Sequence, residues 1–170
     1  LFRQSPQGDA YVAHLFSSLG VKTQYLDHKV VLQKEGKPVS QMTYNFINQP
    51  DLAQTFVVTC ALLNIPFRFS GLQSLKIKET GRIAALMKEM KKLGYVLTET
   101  DGCILEWNGE RCPSDTSPCI DTYEDHRMAM AFAPACIPLG KLSINNPQVV
   151  SKSYPHFWDD LQATGFTING

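Results

Sequence analysis

The sequence has no net charge and no long apolar run. Its 16 Lys and Arg residues balance 16 Asp and Glu residues, so no basic field over the whole chain favours nucleic acid or an anionic membrane as a partner. Its clearest apolar stretch, residues 56–63, is far shorter than the roughly 20 apolar residues of a membrane-spanning helix. We therefore predict a soluble protein that binds neither nucleic acid nor membranes.

Cysteine is scarce and poorly placed for cross-links or metals. The five Cys residues form no CxxC pair, and an odd number does not suit a disulfide framework. Free thiols indicate a reducing compartment, and we expect a cytoplasmic location. No matching ligand pairs accompany Cys112 and Cys119, so neither a metal nor another cofactor is expected. The chain opens on Leu1 without an initiator Met, which suggests that it is cut from something longer.

What is present is enough for one globular unit. The chain has 170 residues, of which 44% are hydrophobic and 19% charged. These values are typical of a folded domain with a buried core. Disorder is not indicated.

A repeat runs through the chain. Apolar residues at helical spacing are followed by a glycine at Gly20, again at Gly94 and again at Gly165. By subtraction of positions, the two offsets are 74 and 71 residues, which indicates a repeating unit. Strand-like residues follow each glycine: residues 21–23 and 30–32, then 95–98 and 104–107, then 166–168.

A second recurring helix strengthens the repeat. Asp51 and Asp125 each open an apolar helix, and a lysine lies 27 residues after each of them, at Lys78 and Lys152. The helices have little polar face, so they should be buried under sheets. We predict an α/β (α+β) fold of pseudo-threefold βαβαββ repeats, with buried helices surrounded by mixed sheets. The units are a truncated repeat over 1–35, then 36–110 and 111–170.

Two charged clusters lie at predicted helix starts. One contains Lys78 and Arg82, and the other is residues 125–127. Helix N-termini attract anions, and an arginine guanidinium can bind a carboxylate or phosphate through two parallel hydrogen bonds. A solvated helix start would look the same at either cluster alone. The recurrence of both at matching places favours one anion-binding rim.

The motifs at these places resemble the EPSP synthase (5-enolpyruvylshikimate-3-phosphate synthase) family. KETGR at 78–82 is one letter from the family's KETDR, and DHRMAMAF at 125–132 matches its second signature. QGD at 7–9, PD at 50–51, KKLG at 91–94 and SKSYPHF at 151–157 continue the resemblance over nearly the whole chain. The sister family, UDP-N-acetylglucosamine enolpyruvyl transferase, lacks the KETDR and DHRMAM pair.

The resemblance implies a reaction and a set of site residues. The family transfers the carboxyvinyl group of phosphoenolpyruvate (PEP) to the 5-hydroxyl of shikimate 3-phosphate and releases phosphate. It implies PEP contacts from Arg82, Arg127 and Lys152. Contacts to shikimate 3-phosphate would come from Asp51, Ser74 and Lys78, although the family usually has Asn at the place of Ser74. Proton transfer is implied for Asp51 and Glu79, and an orienting role for His126.

One departure affects the site. Gly81 stands where the family has Asp, and glycine is a poor helix former, so we expect Arg82 to be less well fixed. Other charges have structural interpretations. We interpret Lys88, Lys91 and Lys92 as a solvated helix face, because they point away from the apolar stripe of their helix.

Family members are roughly twice this length or more and have two lobes, so the resemblance implies that an N-terminal lobe is missing and that this chain alone is inactive. Two alternatives belong to other classes. One is a non-catalytic anion-binding module of the same fold, for which Asp51 and Glu79 would be dispensable. The other is an enzyme of the related RNA 3′-phosphate cyclase fold, which the neutral charge opposes.

Overall fold

The computed structural model describes residues 8–77 and 81–169. It contains the α-helices α1 to α7: Val12–Ser18, Ala53–Leu62, Gln73–Ile77, Arg82–Lys92, His126–Phe132, Cys136–Leu139 and Phe157–Ala163. It contains the strands β1 to β8: Val21–Tyr25, Val30–Lys34, Met42–Asn45, Phe67–Ser70, Thr98–Thr100, Ile104–Trp107, Cys119–Ile120 and Ser143–Ile144. Short 3-10 turns occupy Gly8–Tyr11, Pro50–Leu52, Ala133–Ala135 and Pro147–Lys152.

The strands form three small sheets within the described ranges. β1 and β2 are an antiparallel pair, and β7 and β8 are a parallel pair. The four-stranded sheet has the order β3-β4-β6-β5, with β3 parallel to β4 and the other pairs antiparallel. Helices thus alternate with mixed sheets, and the α/β fold class is confirmed.

The core is built around α2 and α5, which pack against each other. Phe56 and Phe132, one from each helix, are 0% exposed. Apart from Gln54, the buried positions of α2 are apolar or cysteine, as expected for a helix surrounded by protein. The prediction of two buried helices after Asp51 and Asp125 is confirmed.

The predicted helix-ending glycines are confirmed. Gly20, Gly94 and Gly165 follow α1, α4 and α7 by two residues and have positive φ angles of 81°, 87° and 105°. Each N–H closes the last turn by donating to a carbonyl three residues earlier. A residue with a Cβ rarely adopts this left-handed backbone, which explains why glycine recurs there.

Two strand predictions were wrong in detail. Residues 166–168 form no strand, because no neighbouring strand in the described part of the chain pairs with them. Tyr95 makes only a single bridge to Arg111, and the strand begins at Thr98. Among the described residues, no helix is both long and apolar enough to cross a membrane.

Candidate functional site

The starts of three helices meet at one place. Asp51 lies in the 3-10 turn that leads into α2, and Arg82 is the first residue of α4. Asp125 is the N-cap of α5, and Arg127 is the second residue of that helix. Although these residues are far apart in sequence, their side chains form one group of ion pairs, which we call the arginine pair cluster.

The cluster contains two guanidinium groups and two carboxylates. Arg82 Nε lies 2.7 Å from Asp125 Oδ2, and Arg82 Nη1 lies 3.5 Å from Asp51 Oδ1. Arg127 Nη2 donates to Asp51 Oδ2 at 2.6 Å. Asp51 therefore lies between the two arginines. Because the Asp51 side chain is 33% exposed, a ligand can reach this end of the cluster from solvent.

Asp125 contacts the Arg82 side chain and the Arg127 backbone from a buried position. It is 6% exposed, and its Oδ1 accepts the backbone N–H of Arg127 at 3.0 Å, which caps α5. Such a cap stabilises a helix by about 1 kcal/mol. Its Oδ2 accepts from Arg82 and from Gln54 Nε2, the latter at 3.2 Å.

Sequence reasoning missed Gln54. It is 0% exposed and is the buried polar residue of α2 that reaches across to α5. The available signal was a glutamine within an otherwise apolar helix, since a buried amide needs a hydrogen-bond partner. Its Oε1 has no partner in the structure.

His126 is half-buried beside the cluster. Burial lowers the pKa of His126, and the charge of Arg127 lowers it further, whereas the charge of Asp125 acts in the opposite direction. The charge of Arg82 also lowers this pKa, and the charge of Asp51 raises it. The imidazole is therefore neutral at pH 7, so it can accept or donate a hydrogen bond without adding a third positive charge.

The remaining predicted site residues are placed less closely or lie outside the described part. Ser74 is exposed on α3. Lys152 is exposed at the end of the 3-10 turn that packs against α5. Lys78 and Glu79 lie outside the described residues. The structure thus brings together Asp51, Arg82, His126 and Arg127 from the predicted set.

The expectation that Gly81 leaves Arg82 less well fixed stays a prediction. The Arg82 side chain is only 12% exposed and pairs with two carboxylates. Gly81 is the N-cap of α4 and has a left-handed backbone with φ 54°. Among the described residues, a Cβ added there would meet only Ala84 Cβ, at 4.0 Å. Glycine suits the backbone angle at this position.

The interpretation of Lys92 as a solvated residue was wrong, although Lys88 and Lys91 are exposed. Lys92 Nζ lies 2.6 Å from Glu89 Oε2 and 3.0 Å from Asp121 Oδ2, and it donates to the carbonyl of Cys119. Burial acts to lower the pKa of Lys92, but its bonds to Glu89 and Asp121 outweigh burial and raise it. Lys92 therefore joins α4 to the segment that follows β7.

A strained turn precedes the DHR segment of α5. Tyr123 and Glu124 are consecutive and have positive φ angles of 51° and 56°. This left-handed conformation costs an L-residue about 1–2 kcal/mol. The turn persists only if surrounding contacts hold it. Tyr123 Oη donates to Glu89 Oε1 at 2.7 Å, which is one such contact.

A cavity lies elsewhere, in the last third of the chain. It has a volume of about 1020 Å³ and is lined by residues of the last third of the chain, such as Ile137, Leu161 and Phe166. None of its lining residues belongs to the arginine pair cluster. The lining of this cavity carries no arginine or carboxylate. The arginine pair cluster brings several charged side chains together, so it is the better candidate for chemistry on anions.

Comparison with known proteins gives a consistent family match. The family model of EPSP synthase (3-phosphoshikimate 1-carboxyvinyltransferase) matches residues 1–161. A 3-phosphoshikimate 1-carboxyvinyltransferase of Bacteroides fragilis is 60% identical over 168 residues, which are 99% of this chain and 41% of that protein. One from Methanobrevibacter smithii is 32% identical over 99% of this chain and 37% of its own length.

A solved structure supports the fold. The structure of EPSP synthase from Acinetobacter baumannii aligns with a TM-score of 0.63 and 22% sequence identity, over 93% of this chain and 39% of that one. The chain thus spans about two fifths of the length of the Bacteroides fragilis relative that it matches.

Proposed function

Because the chain belongs to the EPSP synthase family, we propose that the protein of which it forms part transfers the carboxyvinyl group of phosphoenolpyruvate to the 5-hydroxyl of shikimate 3-phosphate. Addition of the hydroxyl to the vinyl carbon that bears the phosphate, followed by elimination, gives EPSP and releases inorganic phosphate. Shikimate 3-phosphate and PEP are both polyanions, so the site must supply several positive charges.

The observation that carries the proposal is the arrangement of Arg82 and Arg127 on either side of Asp51. Planar guanidinium groups recognise carboxylates and phosphates through paired N–H donors. In the proposed reaction these two arginines and Lys152 bind the carboxylate and phosphate of PEP. An incoming anion replaces part of the contact that Asp51 makes with them.

Asp51 and Glu79 are the proposed proton-transfer groups. The hydroxyl must lose a proton when it attacks, and the methylene carbon must gain one and later lose it, which is general acid–base chemistry. Asp51 is 33% exposed and contacts both arginines, which supports the proposal that a hydroxyl and PEP approach it together. Glu79 is the second proposed proton-transfer group.

The proposed contacts to shikimate 3-phosphate come from Asp51, Ser74 and Lys78. His126 is proposed to orient its neighbours rather than to carry a proton, which is consistent with its lowered pKa and neutral state. No metal or other cofactor takes part in the proposed reaction.

Turnover is proposed to need both halves of the molecule. The chain covers only 41% of its Bacteroides fragilis relative, and we propose that an N-terminal lobe of the same protein supplies the other phosphate contacts. Closure around the substrates would remove water, and losing one donor in such a site costs about 3–4 kcal/mol of transition-state stabilisation. We therefore expect this chain alone to show weak, salt-sensitive anion binding and no measurable turnover.

A phosphate-release assay tests the proposal. The full-length protein is incubated with PEP and shikimate 3-phosphate, and product EPSP is identified by mass spectrometry. Arg82→Lys should lower kcat/KM by about 100-fold or more, because a lysine cannot make the paired contact. Arg68→Lys is the matched control, since Arg68 is an exposed arginine of β4 paired with Glu106.

Two results would contradict the proposal. Full activity of the Glu79→Gln variant would remove Glu79 from proton transfer. Absence of EPSP formation by a folded full-length protein, with phosphate binding retained, would instead favour a non-catalytic anion-binding module.

A further inference from the structure

Helix α4 holds the segment before α5 at two separate points. Arg82 begins the helix and Glu89 follows seven residues later, so both lie on one face about 10 Å apart. Arg82 binds Asp125. Glu89 binds Asp121 and Tyr123. One helix thus contacts both ends of the segment 121–125.

Glu89 uses both of its carboxylate oxygens. The side chain is 0% exposed. Oε1 accepts from Tyr123 Oη at 2.7 Å. Oε2 accepts from the backbone N–H of Asp121 at 3.1 Å and pairs with Lys92 Nζ at 2.6 Å. A buried charge is unfavourable unless it is fully paired and hydrogen-bonded, and these contacts meet that condition.

The contacts of Glu89 surround the strained turn. Tyr123 and Glu124 have left-handed backbone angles, which need outside support to persist. The Tyr123 hydroxyl and the Asp121 N–H give that support from one side. On the other side of the turn, the backbone N–H of Asp125 donates to the carbonyl of Thr122 at 2.8 Å. The direction in which Asp125 leaves the turn therefore depends on where Glu89 holds Tyr123.

We propose that Glu89 is a positioning residue for the arginine pair cluster: it fixes the left-handed turn at Tyr123 and Glu124 and so places Asp125 against Arg82. The effect on turnover rests on the proposed function, whereas the effect on Arg82 does not. Glu89 itself acts through Asp125 and touches no substrate.

A purely structural role would predict something different. In that case Glu89 would only neutralise Lys92 in the interior, and the phenol of Tyr123 would matter little to Arg82. Tyr123→Phe separates the two roles, because it removes one hydroxyl and leaves the Glu89–Lys92 pair in place. Tyr154→Phe is the matched control, since the Tyr154 hydroxyl also donates to a carboxylate, that of the exposed Asp160.

The experiment measures the Nε–H of Arg82 by NMR in the ¹⁵N-labelled full-length protein. The signal is assigned by its loss in Arg82→Lys, and its exchange with solvent is timed. In Tyr123→Phe we expect exchange about tenfold faster, because the hydrogen bond that holds the turn is lost, and the loss of global stability should be too small to account for that acceleration. Glu89→Gln, which keeps the volume, should accelerate exchange at least as much, and Tyr154→Phe should not alter it.

Three outcomes would overturn the proposal. The first is an Arg82 Nε–H that exchanges in Tyr123→Phe at the same rate as in the unchanged protein. The second is a loss of global stability in Tyr123→Phe large enough to account for the faster exchange. The third is the absence of a protected Arg82 Nε–H signal in the unchanged protein. Kinetics provide the link to turnover: Tyr123→Phe should raise the KM for PEP several-fold more than it lowers kcat. If the full-length protein made no EPSP, the proposed function would fail while the exchange measurement still decided the role of Glu89.

Discussion

Arg127 Nη2 donates to Asp51 Oδ2 at 2.6 Å across 76 residues of sequence. The contact joins the start of α5 to the turn before α2, and it neutralises one of the two arginines when no ligand is bound. An anionic ligand must therefore compete with a carboxylate of the protein itself.

Asp51→Asn should separate binding from turnover. Removing the negative charge relieves about 1 kcal/mol of repulsion toward an anion some 4 Å away in water-like surroundings, so affinity for inorganic phosphate should rise about fivefold. Turnover should fall by about 100-fold or more if Asp51 moves a proton. Calorimetric titration with phosphate and the phosphate-release assay measure the two effects. Asp159→Asn, an exposed acid of α7, is the control, and weaker phosphate binding in Asp51→Asn would contradict the competition argument.

Gly81→Asp should be tolerated. In the part of the chain that the structure describes, an added Cβ meets no atom closer than 4.0 Å, and aspartate is among the residues that accept a left-handed backbone best. The free energy of unfolding should therefore change by no more than about 1 kcal/mol. Gly71→Ala is the contrasting variant, because its Cβ would lie 2.5 Å from the backbone nitrogen of Ile47. Denaturant unfolding of both measures the difference. An equal loss of stability in the two variants would show that the space at Gly81 is not open.

Acid should weaken the fold through His126. Its pKa is lowered from 6.5 by burial first and by Arg127 next, so the unfolded chain takes up the proton more readily than the folded one. The stability gained from neutral His126 is present above about pH 6.5 and is lost as the pH falls through the lowered pKa. Unfolding midpoints between pH 8 and 5 should therefore fall less steeply in His126→Gln. Parallel curves for the two proteins would refute this assignment.

Lys92→Met should destabilise strongly, whereas Lys91→Met should not. The first change leaves Glu89 buried without its cationic partner, and breaking a buried pair in this way costs about 3–5 kcal/mol. Lys91 is exposed on the same turn, so its replacement tests only the loss of a surface charge. Urea unfolding measures both variants. A similar small change in each would mean that the Glu89–Lys92 pair adds little to stability.

Periodicity predicted the helices because their burial follows directly from apolar spacing. The stripe from Ile83 to Leu93 became α4, and the apolar stretch after Asp51 became α2. The strand expected at 166–168 did not form, since a strand needs a partner and periodicity says nothing about whether one is present. The division into units at 35 and 110 stays a prediction.

The charged cluster was predictable only in part. The arginines stood out because they open helices, and recurrence placed them together. Glu89 did not stand out, because a buried polar residue in a helix with a polar face looks like a surface residue until its neighbours are known. Gln54 was missed although the apolar residues around it in sequence were a signal. Lys92 was misjudged for the same reason as Glu89: it lies on the polar face of its helix in sequence, but in space that side chain meets the carboxylate of Asp121.

Because Asp125 bonds to several groups at once, it limits how this site can evolve. One carboxylate serves Arg82, Gln54 and the first turn of α5 at once, so replacing any one of these groups alters the requirements on the others. Effects of substitutions in contact are not additive. We expect the viable combinations at these positions to be few and separated by inactive single variants, so that the group is inherited together even where the surrounding surface drifts freely.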